Sequence, residues 1–235
     1  MWESWGGSRP NGDTSILDPH QIDQYCRQGF LLASGLIPDS IAEAAESAMW
    51  RLLDSRPDDP STWTSAAGGH RVDSSPELLA CYTADMLEAG GTLAGPGETL
   101  NAPSRAYAIN VFPSAAEWSW PKPHVDHAIK EHGHKTFPRA FRIAAMTYLS
   151  DVAPHGAGTV VWPGSHLVIE EMALSDPSRY EMMWTLNQEL GNLSLGDPVE
   201  LLPRRGDVLF YSYLCAHAGS MNTSGVPRLA LNAKW

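Results

Sequence analysis

The amino-acid sequence predicts a mainly β fold with flanking helices, in the form of a closed sandwich or jelly roll. From residue 105 onward, short strand-like runs are separated by turns rich in Gly, Pro, Asn and Asp. These runs are RAYAINVF, FRIAAMTYLS, GTVVWP, VELLP, DVLFYSYL and RLALNAKW. A helical N-terminal part precedes them, and this succession of elements is typical of a β-sandwich or jelly roll flanked by helices.

The N-terminal part supplies the expected helices and one strand. LDPHQIDQYCRQGF reads as a short helix that Asp18 caps and Gly29 ends, and FLLASGL follows as a strand. PDSIAEAAESAMWRLLDSRP is a clearer helix that we expect to run up to Pro57. Its apolar residues share one stripe: Ile41, Ala45, Ala48, Met49 and Leu52. Residues 58–104 are expected to mix polar loop with a further helix near residues 76–89, which GGTLAGPG follows.

We expect residues 1–235 to form a single domain, since this length suits one domain with a buried core. Residues 1–104 are assigned to helical support and to elements on the substrate side, and residues 105–235 to the β core. Residues 166–192 interrupt the strands with a helix-like run, and insertions of this length often act as lids over functional sites.

The composition argues against several classes of partner. The chain has 16 Lys and Arg against 27 Asp and Glu, which gives a formal net charge of −11. Nucleic acids and anionic membranes need a broad basic surface, so neither is expected as the main partner. No stretch approaches the roughly 18 apolar residues of a membrane span. The N-terminus lacks the basic start and apolar run of a secretory signal, so a cytoplasmic location is expected. The oligomeric state is left open.

The cysteines and tryptophans are expected to be mainly structural. The cysteines are odd in number and far apart, which favours buried thiols over a disulfide framework: Cys26, Cys81 and Cys215. Four tryptophans are expected in the core or in a lid, and together they would make an aromatic-lined pocket: Trp118, Trp120, Trp162 and Trp184.

The segment PKPHVDHAIKEHGHK, residues 121–135, has the spacing of a partial metal site. In an extended strand His124 and Asp126 project from the same face, while Val125 points the other way. Two histidines and one carboxylate on one face of a metal leave open positions opposite them, as in non-haem Fe(II) oxygenases. The pair therefore predicts a metal site that needs a third ligand from elsewhere in the chain.

The other histidines are expected to be mainly structural or solvated. His127 should face away from the pair, although a substrate contact stays open as an alternative. His132 and His134 read as a solvated loop, with half of a zinc site as the alternative. His155 and His166 lie in turns, where histidines commonly bond to local backbone.

The C-terminal stretch GDVLFYSYLCAHAGSMNTSGVPRLALNAKW supplies a candidate third ligand and a cation. His217 is read as the end of an apolar strand. Arg228 opens another strand, in which Arg228, Ala230 and Asn232 share one face. A guanidinium that faces into a barrel is costly without a partner anion, and a carboxylate held by paired hydrogen bonds is the obvious partner. These residues predict a metal with an anionic ligand beside it, and they do not name that ligand.

With these residues the sequence resembles the phytanoyl-CoA dioxygenase family of Fe(II)- and 2-oxoglutarate-dependent oxygenases. The match runs along nearly all of the chain, through LDPHQIDQYCRQGFLLASGLIPDS, HVDH, AAMTYLSDVAPHGAGTVVWPGSH and RRGDVLFYSYLCAHAGSMNTSGVPR. The resemblance implies a double-stranded β-helix (a jelly roll, cupin-like). It also implies that His124, Asp126 and His217 bind Fe(II), that Arg228 binds the distal carboxylate of 2-oxoglutarate, and that Asn110 lies near this co-substrate.

Two positions qualify the resemblance. Many relatives have a hydroxyl residue two positions after the distal histidine, where this chain has Gly219. Ser220 follows it and is expected to take that role beside Arg228. Related halogenases replace the carboxylate ligand by a small residue, whereas Asp126 is present here, so an oxidation without halide is expected.

The activity that the resemblance implies is that of a dioxygenase that uses Fe(II), 2-oxoglutarate and O2. It would hydroxylate or otherwise oxidise a C–H bond of a small organic metabolite, with decarboxylation of 2-oxoglutarate to succinate. Two alternatives stay open: a non-redox, metal-dependent cupin-type isomerase or hydrolase, and a non-catalytic binding module. The substrate is not identified by these residues. Selectivity is expected to lie in residues 60–100, in the 127–140 loop and in the 166–192 insertion.

Overall fold

The computed structural model describes residues 15–64, 69–126 and 133–235. Its strands are β1 (Phe30–Ala33), β2 (Gly69–Asp73), β3 (Ala106–Val111), β4 (Ile143–Tyr148), β5 (Thr159–Val161), β6 (Val199–Glu200), β7 (Val208–Ser212), β8 (His217–Gly219) and β9 (Arg228–Lys234). Its helices are α1 (Pro19–Gln28), α2 (Asp39–Leu52), α3 (Pro76–Leu79), α4 (Ala84–Ala94), α5 (Ser165–Ser175) and α6 (Met183–Glu189), with short 3-10 helices at Pro60–Thr62 and Leu190–Asn192.

The strands form two antiparallel sheets. The larger sheet has six strands in the order β1-β7-β4-β9-β3-β2, and the smaller has three in the order β6-β5-β8. Strands distant in sequence therefore lie side by side, as β9 does between β4 and β3. This arrangement, with helices around it, confirms the predicted mainly β fold with flanking helices.

The larger sheet buries both of its faces, each against a different core. The side chains of one face, here called the helix face, pack against α2, α3 and α4: Leu31, Ala33, Ala106, Ala108, Ile143, Ala145, Val208, Phe210, Leu229 and Leu231. The side chains of the opposite face, here called the inner face, pack with the smaller sheet, α5 and α6: Phe30, Ala144, Met146, Tyr148, Leu209, Tyr211 and Ala230. Because successive strand residues alternate between faces, each strand contributes to both cores.

The first predicted helix and strand are confirmed. The Asp18 side chain accepts a hydrogen bond from the backbone N–H of Gln21, and the Gln21 side chain accepts one from the N–H of Asp18. This reciprocal capping satisfies two donors at the start of α1. Gly29 ends the helix with a φ of 80°, a left-handed conformation that favours glycine. The second predicted helix is confirmed as α2, which ends at Leu52, before Pro57.

The prediction of one helix near residues 76–89 is wrong in its bounds. Two helices, α3 and α4, replace it, and α4 continues through Gly90 and Gly91, beyond the expected end at residue 89. A Cβ atom at Gly91 would lie 2.8 Å from the carbonyl oxygen of Glu98. Glycine therefore permits a close approach of backbone here, and its usual reading as a helix breaker does not apply.

Two strands escaped the sequence patterns. β2 has the polar sequence GHRVD and lies at the edge of the larger sheet, where apolar alternation is not required. β8 begins at His217, which was expected to end the preceding strand. The chain leaves β7 at Ser212 and crosses to the smaller sheet before His217.

The residues between β5 and β6 form α5, α6 and a 3-10 helix, as the helical pattern of residues 166–192 predicted. The three cysteines are free thiols, two of them buried. Within the described ranges, no helix has the length and apolar character needed to cross a membrane. The division of the chain at residue 104 stays a prediction.

Candidate metal centre

Main-chain pairing places the two candidate histidine ligands side by side. The N–H of His124 donates to the carbonyl oxygen of His217 at 3.0 Å, and the N–H of His217 donates to the carbonyl oxygen of His124 at 3.0 Å. Residues that exchange both bonds lie directly opposite each other in an antiparallel pair, with their side chains on the same face. The two imidazole rings have their centroids 4.5 Å apart.

Asp126 completes the group, as the spacing of HVD predicted. Its Oδ1 lies 3.8 Å from Nε2 of His217. Each of the three residues offers a ligand atom, and these atoms all lie within 4.8 Å of one another. Val125 between them is fully buried, and its N–H donates to the side-chain oxygen of Asn187 in α6. The structure thus brings together residues from two distant parts of the chain.

The protonation state of His124 and the orientation of the His217 ring suit metal ligands. Burial lowers the pKa of His124 to about 3, and the neighbouring His217 acts in the same direction. His124 is therefore neutral near pH 7, and a neutral imidazole has a lone pair for a metal. Nδ1 of His217 lies 3.0 Å from the carbonyl oxygen of Cys215. Since a carbonyl only accepts, Nδ1 donates this bond, and Nε2 is the ring nitrogen on the side of Asp126.

Asp126 is held in its charged form by its neighbours. Burial by itself would raise the pKa of this carboxyl, but His217, Lys234 and the hydrogen bond from Lys234 hold the pKa below its usual value. Nζ of Lys234 lies 3.1 Å from Oδ2 of Asp126. The hydroxyl of Tyr211 donates to the same oxygen at 3.1 Å. Oδ2 is thus occupied by donors from the protein.

Tyr211 and Lys234 were missed in the sequence. Lys234 lies on the same face of β9 as Arg228 and Asn232. The alternation of that strand therefore indicates that Lys234 points toward the same site. No comparable signal marked Tyr211, because its partner Asp126 is far away in the chain.

Arg228 is buried and faces the same cavity. It is 3% exposed, and its Nε and Nη1 have no hydrogen-bond partner within the part of the chain that the structure describes. The cavity has a volume of about 700 Å³, and its lining includes the following residues: His70, Pro103, Arg105, Tyr107, Ile109, His124, Val125, Asp126, Met146, Thr159, Tyr211, His217, Gly219, Arg228, Asn232, Ala233 and Lys234. A buried guanidinium without a partner is costly, so its chemistry fits a carboxylate ligand.

The structure does not place Asn110 in the cavity, contrary to its predicted role beside the co-substrate. Asn110 lies on the helix face of β3, where its Nδ2 contacts Sδ of Met49 at 3.4 Å. Its neighbour Ile109 points into the cavity instead. The reason is the register with β9, in which Asn110 is paired with Leu229, a helix-face residue.

Ser220 is likewise turned away from the cavity. Its hydroxyl donates to the carbonyl oxygen of Gly158 at 2.9 Å, so it is occupied within the backbone of the smaller sheet. Thr159, which pairs with Gly219 across β5 and β8, has a hydroxyl and is among the residues that line the cavity. The prediction that Ser220 assists Arg228 does not agree with this placement.

Among the described residues, no other histidine belongs to the group of three candidate ligands. His127 and His132 fall outside the described residues, and His134 is described but is not part of the group. The ring of His155 stacks on Trp118 with a centroid distance of 4.2 Å. His166 is buried at the start of α5, where Nε2 contacts the carbonyl oxygen of Cys26 at 3.1 Å.

The expected aromatic-lined pocket is not built from tryptophans. None of the four tryptophans singled out in the sequence is among the described residues that line the cavity. The aromatic side chains of that lining are Tyr107, Tyr211 and the histidines. Trp118 and Trp120 instead contact each other edge to face, with centroids 4.8 Å apart.

Comparison with known proteins identifies the family. The family described as "Phytanoyl-CoA dioxygenase (PhyH)" matches residues 25–230. The chain belongs to this family. Membership confirms the resemblance seen in the sequence, and it makes iron and 2-oxoglutarate the cofactors for which the His-Asp-His group is a candidate site. A search of curated proteins found no match.

Solved structures share the fold at low sequence identity. The non-heme alpha ketoglutarate dependent carbocyclase SnoK from nogalamycin biosynthesis matches with a TM-score of 0.65 and 17% identity, covering 95% of this chain and 86% of that chain. The epimerase SnoN from the same biosynthesis matches with a TM-score of 0.60 and 19% identity, covering 92% and 80%. EctD from S. alaskensis, with 2-oxoglutarate and 5-hydroxyectoine, matches with a TM-score of 0.65 and 14% identity, covering 97% and 78%. Together with the family, these structures confirm the jelly-roll fold of the double-stranded β-helix type.

Proposed function

We propose that the protein is an Fe(II)- and 2-oxoglutarate-dependent dioxygenase that hydroxylates or otherwise oxidises a C–H bond of a small organic metabolite. One observation carries the proposal. The same cavity contains the His-Asp-His group and, at Arg228, a buried guanidinium with unpaired donors. A metal triad alone is found in many kinds of enzyme. The buried guanidinium of Arg228 in the same cavity favours a metal-binding co-substrate with a second carboxylate, as 2-oxoglutarate has.

The order of groups along β9 supports this assignment. Arg228 and Lys234 lie on the same face of β9, six positions apart. Lys234 contacts Asp126, so the metal ligands lie toward the Lys234 end of this face. 2-Oxoglutarate would bind between the metal and Arg228, with its distal carboxylate on the guanidinium. The substrate would then approach from the remaining part of the cavity.

The residues of the chain have distinct roles in the proposed reaction. His124, His217 and Asp126 would hold the iron, leaving the positions opposite them open. When bound, iron and 2-oxoglutarate supply the oxidation of a C–H bond by O2, with decarboxylation of 2-oxoglutarate to succinate. The apolar inner-face residues Ile109 and Met146 line the cavity and would keep water from the reacting bond.

The size and lining of the cavity support a small molecule as substrate. A volume of about 700 Å³ lies within the range of small-molecule sites, and the co-substrate would fill part of it. Exposed residues His70, Arg105 and Tyr107 are among its lining and place polar groups at its outer part. Among the similar structures, EctD was solved with 2-oxoglutarate and 5-hydroxyectoine, and SnoK and SnoN come from nogalamycin biosynthesis.

The second candidate function is a different reaction that uses the same iron and 2-oxoglutarate, such as cyclisation or epimerisation. SnoK is described as a carbocyclase and SnoN as an epimerase, so this fold supports reactions other than hydroxylation in those proteins. The non-redox cupin-type alternative is less favoured, because isomerisation or hydrolysis needs no buried cation like Arg228.

The test is succinate formation from 2-oxoglutarate by the protein with Fe(II) and O2. We expect measurable turnover in the wild type and its loss in Asp126→Ala, because that variant removes a ligand. Asp197→Ala is the matched control, since Asp197 is exposed and outside the cavity lining. Undiminished turnover in Asp126→Ala would contradict the assignment of this ligand. If iron and 2-oxoglutarate neither bind nor turn over in the wild type, the proposed function is wrong.

A further inference from the structure

A row of hydrogen bonds connects Asp126 to the larger sheet. The hydroxyl of Tyr211 in β7 donates to Oδ2 of Asp126 at 3.1 Å. Nδ2 of Asn232 in β9 donates to the hydroxyl oxygen of Tyr211 at 3.2 Å. The same Nδ2 donates to the carbonyl oxygen of Ala145 in β4 at 3.2 Å. Because β4 lies between β7 and β9, the three groups come from adjacent strands of one sheet.

The direction of these bonds follows from the chemistry of the groups. A backbone carbonyl only accepts, so the side chain of Asn232 must turn its NH2 group toward Ala145 and thereby toward Tyr211. Tyr211 has one hydroxyl proton, and its oxygen already accepts from Asn232. The proton therefore points to Asp126, which as a carboxylate only accepts. The backbone of β4 thus determines the orientation of the whole row.

Tyr211 is well placed to act as a fixed donor. Its side chain is 4% exposed and belongs to the core on the inner face. Lys234 donates to the same carboxylate oxygen, but it has a long, flexible side chain that is 28% exposed. Tyr211 is therefore the more rigid of the two donors.

We propose that Tyr211 is a positioning residue for the metal centre: oriented by Asn232, it holds Oδ2 of Asp126 and leaves Oδ1 for the metal. Oδ1 is the oxygen that lies 3.8 Å from Nε2 of His217, on the side of the candidate ligand atoms. The inference rests on the proposed function, because it concerns the same metal site. Partners that orient a ligand in this way commonly contribute about 10- to 100-fold to metal affinity.

The first experiment measures the affinity of the metal-free protein for Co(II) and, in the absence of O2, for Fe(II). Tyr211→Phe removes the hydroxyl and retains the ring, and we expect it to weaken metal binding by about 10- to 100-fold. Tyr213→Phe is the matched control. Tyr213 is equally buried, and its hydroxyl donates to the carbonyl oxygen of Lys135 at 3.1 Å, away from the cavity lining. Its metal affinity should stay within about twofold of the wild type, since no ligand is touched.

The second experiment tests whether Asn232 acts through Tyr211. Asn232→Leu is nearly isosteric and should weaken metal binding in the wild-type background, yet it should have no further effect in Tyr211→Phe. Such non-additivity is the signature of residues that act in one row. An equal loss from Asn232→Leu in both backgrounds would show that Asn232 affects the site by another route and would overturn the proposal.

The outcomes separate this inference from the proposed function. Wild-type protein that binds Co(II) and Fe(II) no better than Asp126→Ala would overturn the proposed function. If the wild-type protein binds the metals and Tyr211→Phe binds them with the same affinity, only the proposed role of Tyr211 is overturned. Thermal melting of each metal-free variant checks folding. If Tyr211→Phe does not fold, the Asn232→Leu affinity decides, and an unchanged value contradicts the proposal.

Discussion

The two faces of β9 differ in composition although they share one backbone. On the helix face, Leu229 and Leu231 are buried among apolar side chains of the helices and neighbouring strands. On the inner face, Arg228, Asn232 and Lys234 line the cavity with the candidate metal ligands. Stability and chemistry are thus separated by the alternation of a single strand, since neighbouring residues point in opposite directions.

This separation has a physical basis. A guanidinium inside a fold is costly unless it has a partner, so Arg228 on the inner face reduces stability by itself. The apolar helix face contributes hydrophobic stabilisation of about 25 cal/mol for each Å² of apolar surface removed from water. We therefore expect substitutions on the inner face to affect ligand binding, and substitutions on the helix face to affect the free energy of unfolding.

The largest effect is expected on the inner face, from Arg228→Met. It removes the only charge that we assign to the distal carboxylate, and loss of one partner of a buried ion pair costs about 3–5 kcal/mol. We expect the Kd for 2-oxoglutarate to rise by about 100-fold or more, measured by titration of the metal-loaded protein.

Arg204→Met serves as the control for that variant, because Arg204 is exposed and outside the cavity lining. Co(II) affinity should change little in both variants, since neither touches a ligand. A Kd for 2-oxoglutarate that is unchanged in Arg228→Met would show that another group holds the carboxylate.

The next effect is expected on the helix face, from Leu231→Ala. Leu231 is 1% exposed, and truncation of a buried leucine costs about 2–5 kcal/mol through lost burial and a remaining cavity. Urea unfolding should report this loss. The affinity of the folded variant for Co(II) should remain that of the wild type, and a large decrease would mean that the two faces of β9 are not independent.

A smaller, pH-dependent effect is expected at His166, which is remote from the metal ligands. Burial lowers its pKa, whereas an unfolded histidine has a pKa of about 6.5. As pH falls below about 6.5, the unfolded chain binds a proton that the folded chain does not, so the free energy of unfolding decreases. Above that pH both states are neutral, and His166 adds no pH dependence.

His166→Gln checks this expectation, because glutamine does not titrate and retains a donor for the carbonyl oxygen of Cys26. Between about pH 7.5 and about pH 5.5, the metal-free wild type should lose more free energy of unfolding than the variant. Equal losses in both proteins would contradict a lowered pKa at His166. The other histidines are common to both proteins and cancel in the comparison.

What could be predicted from the sequence followed from local patterns. The spacing of His124 and Asp126 and the alternation after Arg228 are properties of single strands, so they could be read without knowledge of the fold. The N-terminal helix likewise has its cap and its terminating Gly29 within its own sequence. Combining distant residues into one site needed the family resemblance, because no local pattern relates His217 to His124.

What could not be predicted depends on contacts between distant residues. The face to which Asn110 points is set by the register of β3 with β9, and a shift of one position would reverse it. The continuation of α4 through Gly91 depends on a close approach of Glu98. Tyr211 has meaning only through Asp126, since a tyrosine in an apolar strand is ordinary by itself.

The pairing of His124 with His217 has a consequence for how the centre can vary. Both of their mutual hydrogen bonds are made by backbone atoms, which every residue except proline possesses in full. A change of side chain at either position leaves this link between the two segments in place. The scaffold can therefore hold altered ligand sets, with other residues at these two positions, while the distance between the two attachment points stays the same.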